Sequence, residues 1–221
     1  MVQIELAGTL LQLLPQRCAF VPAARALLVA DAHLGKAHSF RRLGVPVPEG
    51  PTDDTLDRLS AALAVTGAEQ VIFLGDLLHS RHAQAEAAAA PVTRWRQQHA
   101  QLSLVLVRGN HDRHAGDPPP TWGVHAVDEP MALDTLELQH HPAPPAPGRY
   151  AIAGHLHPAV RLCGRGRDHL RLPCFHFADG LGVLPAFGDF TGGHVVRRTP
   201  ADRVFAIAAG KVVEVPRPRE S

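Results

Sequence analysis

Five short apolar runs in this chain each stop at residues that can hold a metal ion. Residues 26–30 stop at Asp31-Ala32-His33, and residues 71–74 at Gly75-Asp76-Leu77-Leu78-His79. Residues 102–107 stop at Arg108-Gly109-Asn110-His111-Asp112. Residues 136–139 stop at His140-His141-Pro142, and residues 150–153 at Gly154-His155-Leu156-His157. The runs are too short for helices and rich in aliphatic side chains, so they read as strands; the unbroken ones are expected to be buried on both faces. Taken singly, each ending is a turn, since Gly, Asn and Asp are the usual turn residues. Five such endings are not coincidence. In open α/β sheets the functional crevice lies outside the carboxyl ends of the strands.

Composition narrows the classes. The chain has 221 residues, 45% hydrophobic and 19% charged, which suits one globular domain over residues 1–221 with a frayed tail at 216–221. A net charge of +1 excludes a broad basic face but permits a local patch. Histidine stands out at 15, against two Trp and one Tyr, and points to metal or proton chemistry. Cys18, Cys163 and Cys174 form no CxxC pair, so no disulfide framework or thiolate zinc site is indicated. That suits the reducing cytoplasm. No apolar run approaches the length of a membrane span, and the amino terminus has no signal-peptide pattern.

Between the five runs the pattern is coarser. Residues 2–6 and 10–14 read as strands. Residues 34–51 read as a Gly- and Pro-rich loop carrying Lys36, Arg41 and Arg42, as either solvated cations or phosphate contacts. Thr52 reads as a helix cap, with Asp53 and Asp54 in the first turn, Leu56, Leu59 and Leu63 on one apolar face, and Gly67 as the stop. Residues 83–100 read as a helix interrupted at Pro91. Residues 117–120 and Trp122 are expected to form a loop over the strand ends. Residues 136–139 and 150–153 flank a Pro-rich loop and are expected to pair antiparallel. A strand at 170–177, an irregular segment at 182–193 with Phe187 and Phe190, and a hairpin of 204–207 with 211–215 complete the chain.

The ligand chemistry follows from residue type. Asp31 and His33, at i and i+2, share a face in an extended segment, as do His155 and His157. Gly75 lets backbone or metal approach closely beside Asp76. His140 and His141 alternate faces, so the residues alone leave either as a ligand. Aspartate, histidine and asparagine without sulfur suit Mn²⁺, Fe or Zn²⁺. The donors are too many for one ion and about right for two sharing a carboxylate. His111 can hold or give a proton near neutral pH, and Asp112 is placed to orient it. No Ser or Cys stands in a nucleophile setting.

The order and spacing of these motifs resemble the calcineurin-like binuclear metallophosphoesterases over nearly the whole chain. The resemblance implies an α/β fold, a β-sheet sandwich flanked by helices with the metal site at the strand ends. It implies that Asp31, His33, Asp76 and His157 hold one divalent ion. Asp76, Asn110, His140 and His155 would hold the second, with His111 facing the substrate phosphate. His140 is favoured over His141 because the family's strand–His–x–Pro pattern places the ligand two residues before the proline. His79 stands where many relatives carry Asp or Asn, and is either a substrate contact or a group behind the ligands. Such a site lowers the pKa of a bridging water, which attacks phosphorus in line.

A narrower resemblance rests on Asp31-Ala32-His33-Leu34-Gly35-Lys36, Ser39-Phe40-Arg41-Arg42, Gly44-Val45-Pro46-Val47-Pro48, Leu184-Pro185-Ala186-Phe187-Gly188 and Phe190-Thr191-Gly192-Gly193. These are similar to the bacterial DNA-ligase-associated metallophosphoesterases. That resemblance implies a Mn²⁺-dependent endonuclease preferring single-stranded DNA, working in repair beside an ATP-dependent ligase and a helicase. Lys36, Arg41, Arg42, His79 and His141 are the candidate substrate contacts. A phosphoesterase for a small nucleotide or cyclic dinucleotide is the alternative; the intact donor set disfavours a non-enzymatic scaffold.

Overall fold

The apolar runs do form strands, and the central ones are covered on both faces. The computed structural model describes residues 1–42, 51–80, 86–164, 169–189 and 191–218. The first sheet has seven strands in chain order: β1 (Val2–Leu6), β2 (Thr9–Leu14), β3 (Cys18–Val21), β4 (Ala26–Val29), β5 (Gln70–Leu74), β6 (Ser103–Val107) and β7 (Val124–Val127). The first four are antiparallel; β4 to β7 are parallel, so β4, β5 and β6 end side by side. The second sheet contains β8 (Met131–Leu133), β9 (Leu136–Leu138), β10 (Tyr150–Ala153), β11 (Pro158–Cys163), β12 (His169–Ala178), β13 (Leu181–Val183), β14 (His194–Val195), β15 (Arg203–Ala208) and β16 (Lys211–Val215). Its main path runs β14-β11-β12-β13-β10-β9-β8, with β15 on β12 and β16 on β15.

Period-two alternation assigns the two faces. Leu27, Val29, Val71 and Phe73 pack against helices, while Leu28, Ile72 and Leu74 pack against Leu136, Ile152, Phe175 and Phe205 of the second sheet. A strand buried on both sides needs apolar residues at every position, which is why these runs are unbroken. The helices are α1 (Lys36–Arg42), α2 (Pro51–Thr66), α3 (Glu86–Gln98) and α4 (Asn110–Ala115). The leucine stripe of α2 is buried as its spacing predicts, and Gly67 ends the helix at φ +62°.

Several expectations need correction. β9 and β10 pair parallel, not antiparallel, with Leu136 opposite Tyr150. The Pro-rich segment between them is long enough to carry the chain back to the same end, so His140 and His155 leave their strands at one edge. Residues 36–42 are helical, so Lys36, Arg41 and Arg42 stand on α1 and not in a loop. Helix α2 begins at Pro51, which leaves Thr52 inside the first turn. Helix α3 runs through Pro91. One lost N–H is offset there by burial of Val92 and Trp95, and Trp95 Nε1 donates to Ser60 Oγ on α2 at 2.8 Å. Trp122 is 2% exposed and belongs to the helix-side core, not to a covering loop. Asn110–Ala115 is a short helix where a turn was expected. The Gly44–Pro48 motif, Phe190, residues 83–85, the Arg42 side chain and residues 219–221 lie outside what is described.

Asp202 pins the second sheet. Its carboxylate accepts from Thr199 N–H (2.9 Å), Thr199 Oγ1 (2.9 Å) and His176 Nε2 (3.0 Å). Burial alone would raise its pKa, but these donors carry it below the ordinary 3.8. A depressed acid stabilises the fold above its unfolded pKa and loses that contribution as pH falls through the folded value. Asp202→Asn should therefore lower the Tm at neutral pH. The difference from the parent should vanish once the pH is well below 3.8, as thermal melts across an acid series would show.

Candidate metal centre

The ends of β4, β5 and β6 meet those of β9 and β10 through backbone bonds that also turn the chain. His33 N–H donates to the Asp76 carbonyl at 2.8 Å, and Gly154 N–H to the His140 carbonyl at 3.2 Å. Asp31, His33, Asp76, His155 and His157 all adopt positive φ, between +44° and +70°. Each such residue costs about 1–3 kcal/mol and persists only where its surroundings impose it. The expected i, i+2 sharing of a strand face is therefore not how the pairs work. Asp31 and His33 converge through left-handed turns beyond the strand. His155 and His157 separate, one ring joining His140 and His141 and the other joining Asp31 and His33. The glycines clear the space: a Cβ on Gly75 would run into the His140 ring, and Gly75 has φ +74°.

Two groups of donors result, with Asp76 between them. On one side, His157 Nε2 lies 3.4 Å from Asp31 Oδ1, and His33 Nε2 lies 3.7 Å from Asp76 Oδ2. On the other, His140 Nε2 lies 3.4 Å from Asp76 Oδ1, 3.0 Å from Asn110 Oδ1 and 3.1 Å from His155 Nδ1. Backbone carbonyls set the tautomers. His140 Nδ1–H donates to Leu74 O (3.0 Å) and His157 Nδ1–H to Thr191 O (2.9 Å), so both present Nε2 to the centre.

These residues fit a cation. Asp31 Oδ1 and both ring nitrogens of His33 are buried without a hydrogen-bond partner. Buried polar atoms are normally paired, so three orphans among converging lone pairs mark a place for positive charge. Burial, with the nearby Lys36, His157, His111 and His79, holds His33 down to about 2, so its imidazole is neutral at working pH. Burial would also lower His157, but hydrogen bonding and charge from Asp31 carry it above its ordinary value.

His140 is the inward residue of its pair, fully buried. His141 is at the rim, its Nδ1 donating to Glu129 Oε1 at 2.7 Å. Glu129 was not singled out from the sequence. Its Oε2 accepts the N–H of His140 (2.8 Å) and of His141 (2.9 Å), fixing the turn that aims both rings. Nothing in Asp128-Glu129-Pro130 marks it beyond a turn.

Asp112 does not orient His111. It is 1% exposed, and its oxygens accept from the N–H groups of Leu78 (3.1 Å) and Gly109 (3.0 Å), tying the ends of β5 and β6 together. The His111 ring is held instead by the His79 carbonyl, 3.0 Å from Nδ1. The His79 ring stacks on His111 at 5.3 Å between centroids and, with His33, forms a further three-histidine group. Burial, with Lys36 and His111, lowers His79 to about 4. Lys36 is close enough to Asp76 and Asp31 to feel both charges, and its Nζ lies over the Phe40 ring. Arg41 is exposed on α1.

A strand-end centre of Asp, His and Asn donors on two facing sheets defines a metallophosphoesterase. Residues 24–143 match the calcineurin-like phosphoesterase family model, and the chain belongs to that family. A nuclease, MPE from Pseudomonas putida, is 45% identical over 97% of this chain and 99% of its own, with a TM-score of 0.84. Yfce, a phosphoesterase from E. coli, is 17% identical over 86% of this chain and 97% of its own, with a TM-score of 0.41. No protein with a curated description matches the chain.

Exchanging the adjacent histidines should separate their roles. His140→Ala should weaken metal binding more than about 100-fold, and His141→Ala by about tenfold or less, since loss of a group behind a ligand costs about 10–100-fold. Titration calorimetry with Mn²⁺ would measure both. Equal losses would put the two imidazoles on the same footing.

Proposed function

We propose that this chain is a binuclear, Mn²⁺-dependent endonuclease that prefers single-stranded DNA and acts in cytoplasmic DNA repair. The observation that carries the reading is the paired donor groups about Asp76, in a chain 45% identical over 97% of its length to a nuclease. Asp31, His33, Asp76 and His157 would hold one ion, and Asp76, Asn110, His140 and His155 the other. Two bound divalent ions supply a water of near-neutral pKa and withdraw charge from the phosphate oxygens. Fe or Zn²⁺ would suit the same donors.

The chain's own groups do the rest. The carbonyl of His79 takes the Nδ1–H of His111 and leaves Nε2 directed inward, 3.8 Å from Asp76 Oδ2. From there His111 hands a proton to the leaving alkoxide when it arrives protonated, typically a 10²–10⁴-fold contribution. Lys36 adds a positive charge beside the donors, and Arg41 extends it along α1 towards neighbouring phosphates. A flexible strand can follow that line, whereas a duplex would have to unstack. An ATP-dependent ligase and a helicase are the partners this reading proposes.

Mn²⁺-loaded protein should nick single-stranded circular DNA faster than duplex circles, and metal analysis should find about two ions per chain. Faster turnover of a nucleotide or cyclic dinucleotide, with DNA cleavage indifferent to Arg41→Ala plus Arg42→Ala, would replace this reading with a small-substrate one.

A further inference from the structure

A groove of about 260 Å³ opens beside His157. Ala159 of β11 and Pro173 of β12 form its floor, and Gly188, Gly192 and Gly193 give it a wall of bare backbone. Thr191, whose carbonyl holds the His157 ring, lies in the same wall, so the groove is continuous with the metal centre. Arg171 lines it, and the guanidinium rests 3.8 Å from where a Cβ on Gly193 would stand.

The floor carries unusual charge. In the β11–β12 register Ala159 faces Pro173, and two residues further on Arg161 faces Arg171. All four share one face of the pair. The other face, with Val160, Leu162 and Leu172, packs on Cys174, Val204 and Val215. Arg161 and Arg171 are both exposed, and neither meets a carboxylate among the described residues. Like charges directly opposite in a sheet are destabilising. The lining also includes Arg17, which with Arg58 shares the carboxylate of Asp189 at 2.9 and 2.7 Å, leaving one positive charge in excess. In a chain of net charge +1, this is a local concentration of cations leading to the site.

We propose that this groove is the track for the phosphate backbone of a nucleic-acid strand on the His157 side of the scissile phosphate. Arg171 and Arg161 contact successive phosphates there. The inference rests on the phosphodiesterase reading for the identity of its ligand. It adds a second basic contact to the α1 cations.

The test compares the full chain with its Arg161→Ala/Arg171→Ala variant. Binding is read as fluorescence anisotropy of a short labelled single strand, with Ca²⁺ in place of Mn²⁺, across a salt series. Two lost phosphate contacts should reduce the slope of log affinity against log salt by about 1.4, at about 0.7 per phosphate on a single strand. With Mn²⁺, KM for the strand should rise while hydrolysis of bis-nitrophenyl phosphate stays unchanged, because that ester is too small to reach the groove. Arg161→Lys/Arg171→Lys should keep the slope. An unchanged slope in the alanine variant, or an equal loss in the lysine variant, overturns the track. If the parent hydrolyses neither DNA nor the ester, the phosphodiesterase reading falls, and the salt slope still decides the groove.

Discussion

Asp76→Asn is expected to lower phosphodiester hydrolysis by more than about 100-fold, beyond the range seen when a group behind a metal ligand is lost. On the proposed two-ion reading, metal content is expected to drop to one ion per chain or fewer. Asp76 reaches both donor groups: Oδ1 lies 3.4 Å from His140 Nε2, and Oδ2 lies 3.7 Å from His33 Nε2. It is 3% exposed, so no water replaces a missing oxygen charge at low cost. Asparagine keeps the shape and can keep the bond from His111 N–H, which Oδ1 accepts at 2.9 Å. The local fold should therefore survive, and circular dichroism would confirm that. Elemental analysis of reloaded protein together with initial rates is the decisive pair of measurements. Two ions retained with activity within about tenfold of the parent would remove the shared role of Asp76.

His111→Ala is expected to act on the leaving group and not on metal content. A general acid matters most when the departing oxygen is basic. The loss should reach about 10²–10⁴-fold on DNA, whose leaving group is an alkoxide, and be far smaller on bis-nitrophenyl phosphate. His111 is suited to this because its ring is 39% exposed, open to substrate, while Nδ1 is already committed to the His79 carbonyl. Equal losses on both substrates would mean that it stabilises phosphate charge instead. Asp112→Asn provides the contrast. Asp112 holds the backbone of Leu78 and Gly109 and not the imidazole, so its removal should lower stability without changing the ratio of the two rates. Leaving-group dependence of kcat across a series of phosphodiesters would separate the three behaviours.

Much of this centre was legible because its chemistry is written in short local motifs. A strand buried on both faces must be apolar throughout, so residues 26–30, 71–74 and 102–107 announced themselves. Polar residues at their ends could only lie outside the sheet. The side chains Asp31, His33, Asp76, Asn110, His140, His155 and His157 were all named from that pattern and the family resemblance, and the fold brings them together.

What the chain order could not decide is anything set by contacts between distant segments. The parallel pairing of β9 with β10 depends on the second sheet as a whole, since either direction satisfies the same apolar pattern. Which of His140 and His141 turns towards Asn110 is set by the carbonyl of Leu74 and the carboxylate of Glu129, 66 and 12 residues away from their partners. The orientation of His111 is set by a backbone carbonyl, which has no residue signature at all. Arg161 and Arg171 are ten residues apart in a stretch with no motif. Only the register of an antiparallel pair puts them opposite one another, on the face that leads to His157. Residue type and local spacing, with the family resemblance, thus marked out the candidate donors, because those motifs depend on neighbours along the chain. Tertiary structure decided which donor faces which, because hydrogen bonds to backbone and cross-strand register act between residues that the sequence keeps far apart.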